Sequence, residues 1–236
     1  YYGVQSLRAQ ENFYITGLKM RREMIEALAL LKKACAMANK EAGCLEPVVA
    51  DAIEAACDEI CEGKYHDEFI VDPIQGGAGT STNMNINEVV ANRALEIMGH
   101  QKGEYQYCHP NDHVNLSQST NDAYPTSFKL CFIFHNEDLV RELKRLVEAF
   151  RLKGKEFEQV IKMGRTQLQD AVPMTLGQEF EAFAVTLEEE VSRLNEMARL
   201  FLEVNMGATA IGTGINTEPG YAQACVNALR IISGKE

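Results

Sequence analysis

The chain has 236 residues, of which 46% are hydrophobic and 24% charged, a balance that buries a core and rules out disorder as the main state. Its 23 basic and 34 acidic residues give a formal charge of -11, which argues against nucleic acid or an anionic membrane surface as partner. No run approaches the ~18 apolar residues of a membrane helix.

Taken in order, the elements are mostly helical. Residues 21–39 are rich in Ala, Met and Leu, good helix formers, and Gly43 closes them. Pro47 suits the first position of a second helix, about Val48 to Cys61, which stops at Gly63. A break rich in Gly and Thr covers Asp72 to Thr82, and Asn87 to Met98 reads as a third helix. Residues 100–122 are polar and irregular. Beyond residue 125 apolar residues recur at three and four: Leu139, Leu143, Leu146, Phe150, Phe157 and Ile161, then Leu176, Phe180, Phe183, Leu187, Val191, Leu194, Ala198 and Phe201. The second series is close to an eleven-residue repeat, which needs little supercoil, and implies a helix of about 30 residues and ~45 Å. Two such helices cannot cover their own apolar stripes and need further helices to do so. The fold expected is mainly all-α.

Seven cysteines are scattered through apolar contexts without a Cys-x-x-Cys pair. Cys57 and Cys61 share a helical face, but no second pair follows to complete a zinc site. Buried reduced thiols, as in a cytoplasmic protein, are the better reading. His66, His100, His109, His113 and His135 are dispersed and read as surface or capping residues; no metal site is expected.

The connecting segments hold the chemistry. The first, Gly76 to Glu88, follows three glycines, Gly76, Gly77 and Gly79, with a block of hydroxyls and amides. It lacks the Gly-Lys-Ser/Thr of a phosphate loop and a clear preceding strand for a dinucleotide site. It reads either as an ordinary cap, with Asn87 or a neighbouring Asn capping the helix, or as an anion site at a helix start. The second, Ser117 to Thr126, offers a row of neutral donors before a helix, as caps or as carboxylate ligands. The third, Met163 to Thr175, bridges the two long helices, with Pro173 placed to begin the second. There Arg165 pairs with Asp170 or with a ligand carboxylate, the internal pair being favoured. Thr166 and Gln167 are the better ligand contacts. The fourth, Met206 to Asn216, is rich in small residues and reads as a structural turn or as a wall supporting the site.

Neutral donors converging on an anion suit a small carboxylate. They also suit a reaction in which that carboxylate gains charge, as when a proton is removed beside it. No Ser/His/Asp or Cys/His nucleophile set is evident.

These segments resemble the aspartase/fumarase superfamily, nearest its aspartate ammonia-lyase branch. The resemblance is carried by Gly79-Thr80-Ser81-Thr82-Asn83-Met84-Asn85, Ser117 to Pro125, Gly164 to Phe180 and Gly207 to Gly214. Tyr2-Gly3-Val4, Asn12-Phe13 and His100 to Tyr105 fit as well, so it runs the length of the chain in order. It implies an N-terminal helical domain, 1–117, and the first part of a central long-helix bundle domain, 118–236, incomplete within this chain. It implies a homotetramer with active sites shared between subunits, a dicarboxylate substrate, no cofactor, and reversible conversion of L-aspartate to fumarate and ammonia through an aci-carboxylate. By position, Thr80, Ser119 and Thr120 match contacts to the β-carboxylate and Asn121 a contact to the amino group. Thr166 and Gln167 match a contribution to another subunit's site. Gln167 stands where many relatives, fumarases included, have His; with Gln169 and Pro173-Met174-Thr175 it favours aspartase over fumarase.

The family's general base, a serine in a Gly-Ser-Ser-Ile-Met-Pro-type loop, and the lysine that holds the α-carboxylate have no match here. They are expected C-terminal of Glu236, so this chain alone is expected to be inactive. Ser81 and Ser119 match binding positions and do not replace that base. A fumarate hydratase is the alternative within the superfamily; a non-catalytic helical scaffold is the alternative of another class.

Overall fold

A computed structural model describes residues 1–235. The chain divides into two compact units: residues 1–131 together with 202–235, and residues 132–201.

The first unit is built on three helices, α2 (Arg22–Glu41), α3 (Pro47–Cys61) and α4 (Thr80–Ile97). Pro47 opens α3 as the sequence implies, because the missing N–H of a first-turn proline would have no helical partner anyway. The buried face of α2 is dominated by small residues, Ala27, Ala29, Ala34, Ala36 and Ala38, which let neighbouring helices approach closely. Leu28, Ile53, Ile60, Ile86, Val89 and Leu95 fill the space between the three helices, and Phe69 closes one side. Each such side chain contributes roughly 1.5–3 kcal/mol by leaving water. Helix α7 (Tyr221–Ser233) returns from the far end of the chain to pack on α2, where Cys35 Sγ lies 3.7 Å from Cys225 Sγ.

A short helix, α1 (Val4–Asn12), has no counterpart among the expected elements. Its residues carry a weak apolar pattern, and a single carboxylate holds it in place. Buried Glu88 accepts hydrogen bonds from the N–H groups of Gly3 (2.9 Å), Gln5 (3.0 Å) and Ser6 (3.0 Å) and from the Ser6 hydroxyl. An anion at a helix N-terminus meets both the unpaired N–H groups and the helix dipole. Asp72 does similar work for the next segment, accepting from the N–H groups of Thr16 (2.6 Å), Gly17 (2.9 Å) and Ile74 (2.8 Å) and from the Thr16 hydroxyl.

Helix α4 starts at Thr80, seven residues before the expected Asn87. Its cap is Gly79, with φ +93° and no side-chain capping bond, so neither Asn87 nor its neighbours act as the cap. Ser, Thr and Asn favour turns when exposed. Here Thr82, Asn83, Asn85 and Asn87 are buried, and tertiary hydrogen bonds override that preference: Asn85, for example, binds the Ile70 N–H and the Glu68 carbonyl.

Helix α5 (Thr120–Glu156) has 37 residues, with Pro125 inside its first turns, and runs from the first unit into the second. In the second unit it is joined to α6 (Leu176–Leu200) by a β-hairpin, β1 (Ile161–Thr166) and β2 (Gln169–Thr175), which forms the bridging segment. The strands pair antiparallel, Ile161 opposite Thr175 and Thr166 opposite Gln169. Gln167 and Leu168 form its two-residue turn, both with positive φ, +47° and +63°. That is the backbone such turns require, although Asn-Gly is the usual sequence for it. Pro173 lies in β2 and not at the start of α6, an acceptable place in a two-stranded sheet with free edges. The cap of α6 is Thr175, whose hydroxyl accepts from Gln178 N–H (3.2 Å) while the Gln178 side chain accepts from Thr175 N–H (3.0 Å).

The buried positions of the second unit on α5 are Ile133, Val140, Val147 and Gly154, and on α6 Gly177, Ala184 and Val191. Both sets step by seven, a narrow seam of the coiled-coil kind and not the broad stripe of the eleven-residue reading. Phe150, Phe157, Phe180 and Phe183 flank it, with ring centroids 5.5–6.2 Å apart. The seam closes at Gly177, where a Cβ would lie 2.4 Å from the Gly154 carbonyl oxygen and 2.8 Å from Glu158 Cα.

Among the described residues, no helix is long and apolar enough to cross a membrane. All seven cysteines are free, and Cys35, Cys57, Cys108 and Cys225 are buried, as the sequence implies. Burial pushes the Cys108 thiol up to about 12 and that of Cys57 well above its ordinary value, which keeps both protonated and unreactive.

Candidate active site

The expected ligand residues fall in both units. Thr80, Ser119, Thr120 and Asn121 lie in the first, at the beginnings of α4 and α5; Thr166 and Gln167 lie in the second, at the hairpin turn.

In the first unit the two helix starts are locked together. Gly79 sits against the ring of Tyr124, one turn into α5, so closely that a Cβ would lie 2.4 Å from it. No other residue type combines that approach with the positive φ. From the next turn of α4, buried Asn83 sends its amide nitrogen to Thr120 Oγ1 (3.3 Å) and to Asn115 Oδ1 (3.1 Å). Thr80 is exposed in the first turn of α4 and Thr120 half-buried in the first turn of α5. Both therefore stand at helix starts, where the dipole favours an anion, although the N–H groups of Asn121 and Ala123 are taken by Ser119 and that of Thr82 by Gln75.

Beneath this layer lies a cation that pattern reading missed. Lys32 of α2 is fully buried, and its ammonium donates to Asn83 Oδ1 (2.8 Å), Asn115 Oδ1 (2.9 Å) and Gln118 Oε1 (2.7 Å). Three neutral oxygens satisfy its three protons. Burial pulls its pKa down to about 8, with Cys35 and Asp122 nearby acting in the opposite sense. The signal was present in sequence: Lys32 falls on the core face of its helix, one turn from Leu28 and from Cys35 and Ala36.

Ser119 and Asn121 are held by the 202–235 return. Buried Asp122 accepts from Ser119 N–H (2.9 Å), Gly207 N–H (3.2 Å) and Thr209 N–H (2.9 Å). Asn121 donates its amide to the Ala210 carbonyl (2.9 Å), while Asn205 donates to the Asn121 carbonyl (3.0 Å). The small-residue block 206–216 therefore turns the chain and also forms a wall. With Asn111, Asn115, Gln118 and Ser119, its residues Thr209 and Asn216 line a cleft of about 470 Å³. Thr209 has φ +56°, a strained value for a β-branched residue, and its buried hydroxyl has no hydrogen-bond partner. Thr80, Thr120 and Asn121 stand outside the cleft lining.

In the second unit Thr166 and Gln167 are exposed, and Leu168 beside them is 100% exposed. Arg165 pairs with Asp170 across the hairpin (3.1 Å), the internal pair favoured by sequence. Two non-glycine residues at positive φ on an exposed tip carry a conformational cost that the strand pairing around the turn has to offset.

The histidines behave as caps and packing groups. His109 Nδ1 accepts from the N–H groups of Asn111 and Asp112, and His100 stacks on Tyr107 at 3.8 Å. Among the described residues no three His, Cys, Asp or Glu side chains are grouped to hold a metal ion.

A family described as lyase matches residues 1–236. The aspartate ammonia-lyase of Bacillus subtilis (strain 168) is 56% identical over 234 residues, 99% of this chain and 49% of the relative. That of Escherichia coli (strain K12) is 56% identical over 237 residues, 99% of this chain and 50% of the relative. A crystal structure of fumarate lyase:delta crystallin from Brucella melitensis bound to cobalt superposes with a TM-score of 0.96 at 54% identity, covering 100% of this chain and 52% of that one. Recombinant class II fumarase from Schistosoma mansoni superposes with a TM-score of 0.92 at 35% identity, covering 99% and 50%. The chain thus spans about half the length of the curated relatives it matches.

Proposed function

The chain belongs to the lyase family, and on that premise we propose that the full-length protein is an aspartate ammonia-lyase, a carbon–nitrogen lyase that converts L-aspartate reversibly to fumarate and ammonia. The observation that carries the reading is the paired start of α4 and α5, with neutral donors in front and a buried cation behind. A carboxylate bound there meets hydroxyl and amide protons and two helix ends, while the nearby Asp122 carboxylate is engaged by the N–H groups of Ser119, Gly207 and Thr209.

In this reading Thr80, Ser119 and Thr120 hold the β-carboxylate. Removal of the adjacent β-proton drives charge onto that group as the aci-carboxylate, and donors already in place stabilise it without reorganising. Asn121 faces the amino group: with its amide nitrogen committed to Ala210, its oxygen is the atom left to accept from an amine. Thr166 and Gln167, on their strained turn, complete the site of another subunit in a homotetramer. The exposed apolar side chains of the second unit, among them Leu139 at 53% and Phe183 at 48%, support such an assembly. The base and the α-carboxylate lysine are read as following Glu236, with 1–117 and 118–236 as parts of two domains of a cytoplasmic enzyme.

The test is the ultraviolet absorbance of fumarate on adding L-aspartate to the full-length protein. Turnover of malate without turnover of aspartate would move the assignment to fumarate hydratase, and no turnover of either would favour a scaffold. Thr120→Ala is expected to raise KM for aspartate about tenfold, the cost of one charge-assisted hydrogen bond. Unchanged kinetics would remove Thr120 from the site.

A further inference from the structure

The cluster beneath Thr120 has a direction as well as a shape. An ammonium group only donates, whereas a side-chain amide has one accepting end and one donating end. Lys32 meets the oxygens of Asn83, Asn115 and Gln118, so the nitrogen of each amide is turned away from it. The nitrogen of Asn83 faces Thr120 and donates to its Oγ1 at 3.3 Å. A hydroxyl that accepts on its inner side keeps its single proton for the outer side. Were the Asn83 amide reversed, Thr120 would give that proton inward to Oδ1 and offer only lone pairs to a carboxylate.

Resting on the lyase reading above, we propose that Lys32 is a positioning residue that fixes the polarity of the Asn83 amide, so that Thr120 presents its hydroxyl proton to the substrate carboxylate. Lys32 itself touches no substrate. Its three hydrogen-bond partners are neutral, so no counter-ion at contact distance cancels its charge, and the buried setting leaves its field little screened. A buried charge without a contacting counter-ion is costly, even with Asp122 nearby, and an apolar side chain of the same length would pack there more cheaply. Chains of polarised hydrogen bonds also strengthen one another, which couples the ammonium to the distant hydroxyl.

The experiment is a double-mutant cycle in the full-length protein, with steady-state kinetics on L-aspartate and a thermal melt for each variant. Wild-type turnover comes first and decides the lyase reading by itself: absence of turnover removes that reading and the Lys32 role with it. Given an active wild type, Lys32→Met is expected to lower kcat/KM about 10–100-fold, chiefly through KM. In a Thr120→Ala background the same change is expected to cost less than about threefold, because the route it acts through is already cut. Multiplying losses in the double variant would overturn the Lys32 role while leaving the lyase reading intact. Where Lys32→Met gives no cooperative melt, Asn83→Ser replaces it, cutting the link to Thr120 while Lys32 keeps Asn115 and Gln118. The same non-additivity with Thr120→Ala is expected, and additive behaviour overturns the proposal.

Discussion

The two units solve the problem of apolar surface in different ways. The first encloses it: Leu28, Ile53, Ile60, Ile86, Val89 and Leu95 are all 0% exposed. The second buries only one seven-residue seam and leaves Leu139, Leu146, Leu152 and Phe183 between 44% and 68% exposed. A three-layer arrangement of short helices can surround a core, whereas two long helices joined by a hairpin have only one mutual face. The lesson is that the candidate ligand residues rest on the self-sufficient unit, while the hairpin residues rest on the one that needs partners. Stability changes in the first unit should therefore be independent of protein concentration, and those in the second should not.

The strongest way to break that contrast is Glu88→Ala. It leaves three backbone N–H groups and the Ser6 hydroxyl without their acceptor and is expected to cost about 3 kcal/mol. Thermal melts of the full-length protein at several concentrations should show the same loss throughout, with hydrogen exchange fastest over residues 4–12. Gly177→Ala comes next, at about 1–3 kcal/mol, because the new methyl meets the Gly154 carbonyl and the Glu158 backbone. Here the loss should grow on dilution, read by light scattering of the eluting species; a loss equal at all concentrations would remove the distinction between the units.

Asp72 sharpens the first half of the comparison through pH. Burial would raise its pKa, but the N–H groups of Ile74, Thr16 and Gly17 and the Thr16 hydroxyl overcome this and hold it well below the usual carboxylate range. A depressed carboxylate contributes stability that is full above its unfolded pKa, about 3.9, and is lost as pH falls below it. The gap in melting temperature between wild type and Asp72→Asn should thus be widest at neutral pH and shrink below about pH 4. A gap constant with pH would show that the charge is not what holds residues 15–17. The smallest effect belongs to Arg165→Ala, since an exposed ion pair contributes about 0–1 kcal/mol. A large drop in melting temperature would give this pair a structural weight that its exposure denies.

How much of this was legible beforehand differs by residue. Helices α2 and α3 were plain because Ala, Leu and Met runs end at Gly43 and Gly63 and Pro47 marks a start. The beginning of α4 was not, because Thr80 to Asn87 are helical through burial and not through propensity. The hairpin was hidden by Gly164 and Pro173, which weaken a strand pattern, and by a Gln167-Leu168 turn that lacks the usual Asn-Gly. Dense hydroxyls and amides marked the segments 76–88 and 117–126, and the resemblance to the superfamily singled out Thr80, Ser119 and Thr120 within them. Lys32 went unread because its place on the core face, one turn from Leu28 and Cys35, is set against a charge that usually lies at the surface. Asn83 was visible only as part of a motif; its part between Lys32 and Thr120 needs two helix starts and the middle of α2 placed in space.

The packing of α7 on α2 has a consequence for the order of synthesis. Cys35 and Cys225 are 190 residues apart, so a nascent first unit lacks one of its walls until nearly the whole of this chain has been made. At ~5–20 residues per second, the flank of α2 around Cys35 waits roughly 10–40 s for its cover. During that interval it is an apolar surface that chaperones, or another ribosome's product, can reach. Closing so long a loop adds little to the equilibrium cost, which grows only with the logarithm of length. The penalty falls on the rate, and the final assembly of this unit waits on the late arrival of α7.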